Sequence, residues 1–247
     1  MTLRFNEWVT CPVPKPMAKS RLFCLPFAGG GALEYRQWGN RFAQHIEVCP
    51  IQLPGRENRY GEPNDADIRS LSCQLKTVLE PFCDKPYAIY GHSMGALIAY
   101  ELVREIEQSG LPTPRTLIAA AHRAPHLPPR RPPIYHLPDP QFIAKLKEYG
   151  GFSDAILESA EMMDFLLPVL RGDFKRCDQY QLPQPSKIKT SLQIMAGSHD
   201  PHVLVSDAQA WSELTTGQCA FNLYEGGHFF LRDQAANVIQ AIERSMA

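Results

Sequence analysis

No stretch of this 247-residue chain approaches the roughly 20 consecutive apolar residues of a membrane-spanning helix. Neither sign of charge is in excess: 25 lysines and arginines stand against 26 aspartates and glutamates, a formal net charge of -1. General nucleic-acid binding, which needs a basic face, is therefore not expected. Cys-x-x-Cys is missing, and the seven cysteines are odd in number and scattered. They read as reduced, mostly structural thiols of a cytoplasmic protein, and no metal site is expected. The first twenty residues lack a continuous apolar run and carry Pro12, Pro14 and Pro16, unlike a signal peptide. No internal repeat is evident. What the chain does have is an apolar fraction of 44%, enough for the core of one α/β domain with room for an inserted cap.

The informative stretch is Tyr87-Ala88-Ile89-Tyr90-Gly91-His92-Ser93-Met94-Gly95. A buried strand runs into it and a helix without breakers runs out of it as far as Ser109-Gly110. A Gly-x-Ser-x-Gly turn between strand and helix is a nucleophile elbow: small neighbours let the two elements pack closely, and the serine hydroxyl stands at a helix N-terminus. The plainer alternative is a serine N-cap flanked by glycines.

Around this elbow the periodicity predicts alternating strands and helices. Strands are expected over Arg21–Phe27, Val48–Leu53 and Arg115–Ala121. An amphipathic helix carries Tyr35, Trp38 and Phe42, and another runs from Asp67 to Phe82, capped by Asn64 or Asp65. Arg56 and Arg59 read as solvated charges. This alternation implies a mostly parallel sheet covered by helices on both faces. It breaks after His122, where prolines at 125, 128, 129, 132, 133, 138 and 140 exclude regular structure. Helices follow over Pro140–Gly150 and Ala160–Tyr180, the second apolar on so wide an arc that cover on more than one side is expected. Residues 124–185 are read as a helical lid inserted into a core made of 1–123 and 186–247; a packing layer without a binding role is the alternative. Strands resume at Ser191–Gly197 and Cys219–Tyr224, each ending in a polar turn. Helices follow them at Val203–Leu214 and Gln234–Met246.

Those two turns hold Asp200 and His228. With Ser93 they appear in the chain order Ser, Asp, His of an α/β-hydrolase, whose acid and base lie on loops after late strands. The glycine loop Ala28-Gly29-Gly30-Gly31 lacks the Gly-Lys-Ser/Thr of a phosphate loop. It suits an oxyanion hole made by the N–H groups of Ala28 and Met94; a plain turn is the alternative. Asp173, Asp178 and Asp207 are rivals for the acid, and His202 for the base. His92 and His199 read as supporting or loop residues.

Taken with Pro26-Phe27-Ala28-Gly29-Gly30-Gly31, Trp38, Leu53-Pro54-Gly55-Arg56, Arg123-Ala124-Pro125, Leu170-Arg171-x-Asp173-Phe174, Trp211 and Gly227-His228-Phe229-Phe230, the chain resembles the stand-alone type II thioesterases of non-ribosomal peptide and polyketide biosynthesis. The resemblance implies hydrolysis of acyl groups misloaded on, or stalled at, the phosphopantetheine arm of carrier domains, with Ser93, Asp200 and His228 as the triad. No cofactor beyond that substrate-borne arm is expected. Carrier domains are the expected partners of a monomer, met in part by a basic rim of Arg123, Arg130, Arg131, Lys145 and Lys147. Phe27, Gly29, Phe229, Met162 and Phe165 are expected to touch substrate. Two departures are Ala120-Ala121-His122, where Ser-Gly is usual, and Gly172, where alanine is usual. Rival readings are a medium-chain fatty-acyl thioesterase, a small-ester carboxylesterase, and a non-catalytic carrier-binding protein.

Overall fold

The apolar runs of the sequence become six strands in a computed structural model that describes residues 5–182 and 184–247. Residues 1–4 of the proline-rich lead and Pro183 of the expected insertion lie outside them. In chain order the elements are β1 (Ser20–Leu25), the single turn α1 (Trp38–Arg41), β2 (Ile46–Pro50), α2 (Ile68–Leu79), β3 (Tyr87–His92), α3 (Met94–Ser109) and β4 (Thr116–Ala120). Then come α4 (Asp139–Tyr149), α5 (Asp154–Leu157), α6 (Ala160–Gln179), β5 (Ser191–Gly197), α7 (Val205–Gln209), β6 (Cys219–Tyr224), α8 (Phe230–Asp233) and α9 (Ala235–Met246). The strands pair in the order β2-β1-β3-β4-β5-β6, every neighbour parallel.

Strand alternation divides the core. Phe23, Leu25 and Ile89 face one side, where Leu71 and Leu75 of α2 and Leu97 and Ile98 of α3 cover them. Leu22, Cys24, Tyr90 and Ile118 face the other, under Tyr35, Trp38 and the Val238/Ile242 stripe of α9. Both faces of the sheet are thus covered, as a parallel sheet requires. From β1 the chain turns one way to β2 and the other way to β3, so the strand order reverses beside β1. Ligands of open α/β sheets bind at the carboxyl ends of strands at such a reversal. The glycine loop leaves β1 at that point and Ser93 leaves β3 beside it.

Local details differ from the sequence reading. The cap of α2 is Asp67, whose carboxylate accepts the Ser70 N–H at 2.8 Å. Asn64 is drawn into a buried polar network instead. The Tyr35–Phe42 helix is broken into two short turns, and the Val203–Leu214 helix keeps only α7 followed by a 3-10 turn. Between β4 and β5, α4, α5 and α6 close over an apolar cluster of their own: Ile134, Phe142, Leu146, Leu157, Met163, Leu170 and Phe174. The α6 helix is not enclosed all round. Met162 and Phe165 on its first two turns are 44% and 50% exposed, because only the Met163–Leu170–Phe174 side meets the other helices.

Candidate active site

Ser93 begins α3 with φ 53 and ψ -116, one of few non-glycine residues at positive φ. Its two glycines are structural necessities. A Cβ at Gly91 would stand 2.1 Å from the Gly95 carbonyl oxygen, and one at Gly95 2.3 Å from that of Leu25. The turn exists only where side chains are missing, and it presents the hydroxyl of a half-buried Ser93 to a cavity of about 640 Å3.

Three residues far apart in the sequence meet there. His228 Nε2 lies 3.0 Å from Ser93 Oγ, and His228 Nδ1 lies 2.8 Å from Asp200 Oδ2. A carboxylate only accepts, so Nδ1–H donates to Asp200 and Nε2 is left to accept from the serine hydroxyl. The other Asp200 oxygen takes the His202 backbone N–H at 2.8 Å, which fixes the carboxylate. Asp200 and His228 are both buried. The rivals are engaged elsewhere. Asp178 binds the Ile134 N–H and Arg131, and Asp207 forms a forked pair with Arg130. The His202 ring stacks on Tyr149 at 3.6 Å, and His199 bonds to Ser198.

His92 supports this chain from behind. Its Nε2 lies 2.9 Å from the His228 carbonyl oxygen and must carry the proton, leaving Nδ1 to accept from the Tyr90 hydroxyl at 3.1 Å. Complete burial, with His228 nearby, pushes its pKa well below that of an ordinary histidine.

The expected oxyanion donors, Ala28 and Met94, follow β1 and Ser93, and neither backbone N–H has an acceptor among the described residues. Ala28 lines the cavity with Ser93 and His228. The residues expected to touch substrate need correction. Met162 and Phe165 lie on the outer surface of α6, where Phe165 packs on Tyr60 at 5.4 Å, and neither lines the cavity. Phe27 and Phe229 pack edge-to-face at 4.8 Å, next to His92. Gly29 gives its N–H to Asp173 at 2.7 Å. These three support the loops around the site. The cavity wall is made instead by Phe174, Cys177 and Tyr180 of α6 and its end, by Tyr149, and by the Pro125–Arg131 segment. Periodicity could not separate the inner from the outer face of α6, because both are apolar.

Arg56 and Arg59, read as surface charges, are each 4% exposed. Arg56 forks onto Asp173 at 2.7 and 2.9 Å, and Arg59 stacks over Trp8 and bonds to Glu62. Asp173 is fully buried. Burial disfavours its charge, but Arg56 and Arg176 outweigh that and hold its pKa below the usual carboxylate range. The one motif that could have flagged it was Leu170-Arg171-x-Asp173-Phe174. The glycine at 172 has a reason here: a Cβ would lie 2.9 Å from the Asn64 carbonyl oxygen. The basic rim is largely neutralised. Lys145 and Lys147 pair with Glu148 and with Asp154 and Glu158, whereas Arg123 donates to the carbonyls of Ala124 and Leu127. Cys11, Glu47 and Cys49 come together away from the site, but the Glu47 carboxylate is already bonded to Arg21 and the Lys15 N–H, which makes a poor metal site.

A model of the thioesterase domain matches residues 20–246. The chain belongs to this thioesterase family. It is 37% identical over 235 residues to the gramicidin S biosynthesis protein GrsT of Aneurinibacillus migulanus, covering 95% of this chain and 92% of that one. It is 31% identical over 230 residues to the medium-chain S-acyl fatty acid synthase thioesterase of Homo sapiens, covering 91% and 86%. The solved type II thioesterase BorB from the borrelidin biosynthetic cluster superposes with a TM-score of 0.90 at 31% identity, over 100% of both chains. The fold of this thioesterase is accordingly that of the α/β-hydrolases, and the protein is a hydrolase. Among its described residues no helix is long and apolar enough to cross a membrane.

Proposed function

We propose that this thioesterase edits synthases of non-ribosomal peptides or polyketides, hydrolysing acyl and aminoacyl groups misprimed on, or stalled at, the phosphopantetheine arm of carrier domains. The observation that carries the reading is the hydrogen-bonded series Asp200–His228–Ser93 opening into the cavity. The names of GrsT and BorB, which tie those proteins to gramicidin S and borrelidin biosynthesis, support the carrier-bound substrate.

Each group has a step. Ser93 Oγ attacks the thioester carbonyl carbon while His228 Nε2 takes its proton, and Asp200 stabilises the imidazolium. The Ala28 and Met94 N–H groups receive the oxyanion, and α3 points the positive end of its dipole toward it. The carbon–sulfur bond breaks, the thiol leaves with the proton from His228, and an acyl-Ser93 ester remains. His228 then deprotonates a water that attacks this ester. The acid departs and Ser93 recovers its proton.

A second reading, release of medium-chain fatty acids, is favoured by the human relative. The cavity speaks for the first. Arg123, His126 and Arg131 stand among its apolar walls, and burying a plain alkyl chain against such groups costs desolvation without hydrogen bonds in return. The test is turnover of a panel of carrier proteins loaded with acetyl, aminoacyl and medium-chain acyl groups, beside acyl-coenzyme A and nitrophenyl esters. Higher kcat/KM on short acyl and aminoacyl carriers is expected. A preference for decanoyl or dodecanoyl thioesters would favour the fatty-acid reading, and a preference for oxygen esters would remove both.

A further inference from the structure

The loop that carries Ala28 is held by a side chain from the other half of the molecule. Phe27 to Gly30 form a β-turn, with the Gly30 N–H donating to the Phe27 carbonyl at 2.9 Å and Gly29 at φ +80. A positive φ at the third position is the mark of a type II turn, which differs from type I by a flip of the central peptide. That central peptide joins Ala28 to Gly29, and its N–H donates to Asp173 Oδ2 at 2.7 Å. The far end of the turn is pinned too, since Arg56 Nη1 donates to the Gly30 carbonyl at 3.0 Å. Asp173 sits on α6, and one turn earlier Leu170 packs on the same glycine: a Cβ there would stand 2.5 Å from Leu170 Cδ2.

The carboxylate itself cannot wander. Oδ2 also receives Arg56 Nη1 at 2.7 Å, and Oδ1 receives Arg56 Nη2 at 2.9 Å and Arg176 Nη1 at 2.8 Å. Asn64 Oδ1 bridges the two guanidinium groups at 3.1 and 2.8 Å. A buried ion cluster is an expensive way to gain stability alone, since well-packed apolar residues commonly do as well. This one has one acceptor aimed at the loop.

We propose that Asp173 is a positioning residue for the thioester reaction: by anchoring the Gly29 N–H, one residue past Ala28, it holds the glycine loop against α6 in the place from which the Ala28 N–H receives the oxyanion, so that seating of α6 and completion of the oxyanion hole are one event. The inference rests on the reading of Ala28 as an oxyanion donor and of Ser93 as the nucleophile. Because the oxyanion exists only after attack, the bond to Asp173 acts on the transition state and leaves ground-state binding alone.

The test compares wild type, Asp173→Asn, and the pair Asp173→Asn with Arg56→Gln, which keeps the net charge of the cluster. Each is first checked for native near-ultraviolet circular dichroism. Four quantities are read: kcat and KM on an acetyl-carrier thioester, and the affinities for an alkyl boronic acid, which forms a tetrahedral anion on Ser93, and for the free product acid. Loss of a whole oxyanion donor costs about 100- to 1000-fold in kcat; a misaimed one is expected to cost about 10- to 100-fold. KM and product affinity should stay within about threefold, and boronate affinity should fall with kcat. A folded variant with wild-type kcat overturns the inference, as does a joint loss of kcat, KM and product affinity. Failure of both variants to fold would assign the cluster to stability and overturn it as well. Ser93→Ala in the same assay separates the two layers. Turnover by that variant removes the nucleophile reading, whereas an inactive Ser93→Ala beside a fully active Asp173→Asn removes only the role of Asp173.

Discussion

Ser93 occupies a backbone conformation that costs an L-residue energy, and the surrounding structure holds it there. Replacing it by alanine removes the hydroxyl and little else. Ser93→Ala is expected to keep a native melt while kcat falls by at least about 10⁴-fold; retained turnover in the folded variant would exclude the residue. His92 governs a different observable. Burial keeps it neutral in the folded protein, whereas the unfolded chain takes up a proton near pH 6.5. Its contribution is therefore complete above about pH 6.5 and is lost as the pH falls toward the folded-state value, with a slope of about 1.4 kcal/mol per pH unit. Urea titrations between pH 7 and 5 should show a steeper loss of stability in wild type than in His92→Asn, the difference being the share of His92. Arg56→Ala leaves Asp173 without its forked partner in a buried site, and about 3–5 kcal/mol of stability should go with it. A Tm within 2 °C of wild type would contradict the buried pair. Ser93, Asp200 and His228 were legible in the sequence because each follows an apolar strand in a distinctive turn. Arg56 was not, because its burial is decided by a carboxylate 117 residues away.

Among the elements, strand positions were the easiest to read, since runs such as Leu22–Leu25 and Ala88–Tyr90 are apolar on both faces. Helix ends and helix faces were harder. The N-terminus of α2 offered several capping residues, and only the fold shows that Asn64 serves Arg56 and Arg176 while Asp67 caps. The α6 helix carries two apolar faces, one toward Phe142 and Leu146 and one toward solvent; spacing alone cannot rank them. Its Gly172 makes a prediction that opposes helix propensity. Alanine should gain about 1 kcal/mol in a helix interior, yet its Cβ would meet the Asn64 backbone at 2.9 Å. Gly172→Ala is expected to lower Tm, and a rise would show that Asn64 can yield. Gly91→Ala faces closer backbone atoms still, at 2.1 and 2.3 Å, and should not accumulate as folded protein in an expression and solubility assay.

At the scale of the whole molecule, the sheet and the helices between β4 and β5 meet over one cleft, and each brings what the other lacks. The strand ends bring Ser93, His228 and Asp200 together; the helices between β4 and β5 wall the cavity and reach back to the glycine loop through Asp173 and Leu170. The parallel order of the sheet could be read from alternation alone, but the meeting of the two parts depends on long-range contacts that no local pattern encodes. The most direct measurement of the central claim is intact-protein and peptide mass spectrometry of a quenched reaction between a slowly deacylating variant, Asp200→Asn, and an acetyl-loaded carrier protein. An acetyl group on the peptide containing Ser93, lost when Ser93→Ala is added to the same background, is the expected result. Hydrolysis without any acylated protein, or an acetyl group fixed at another residue, would contradict it.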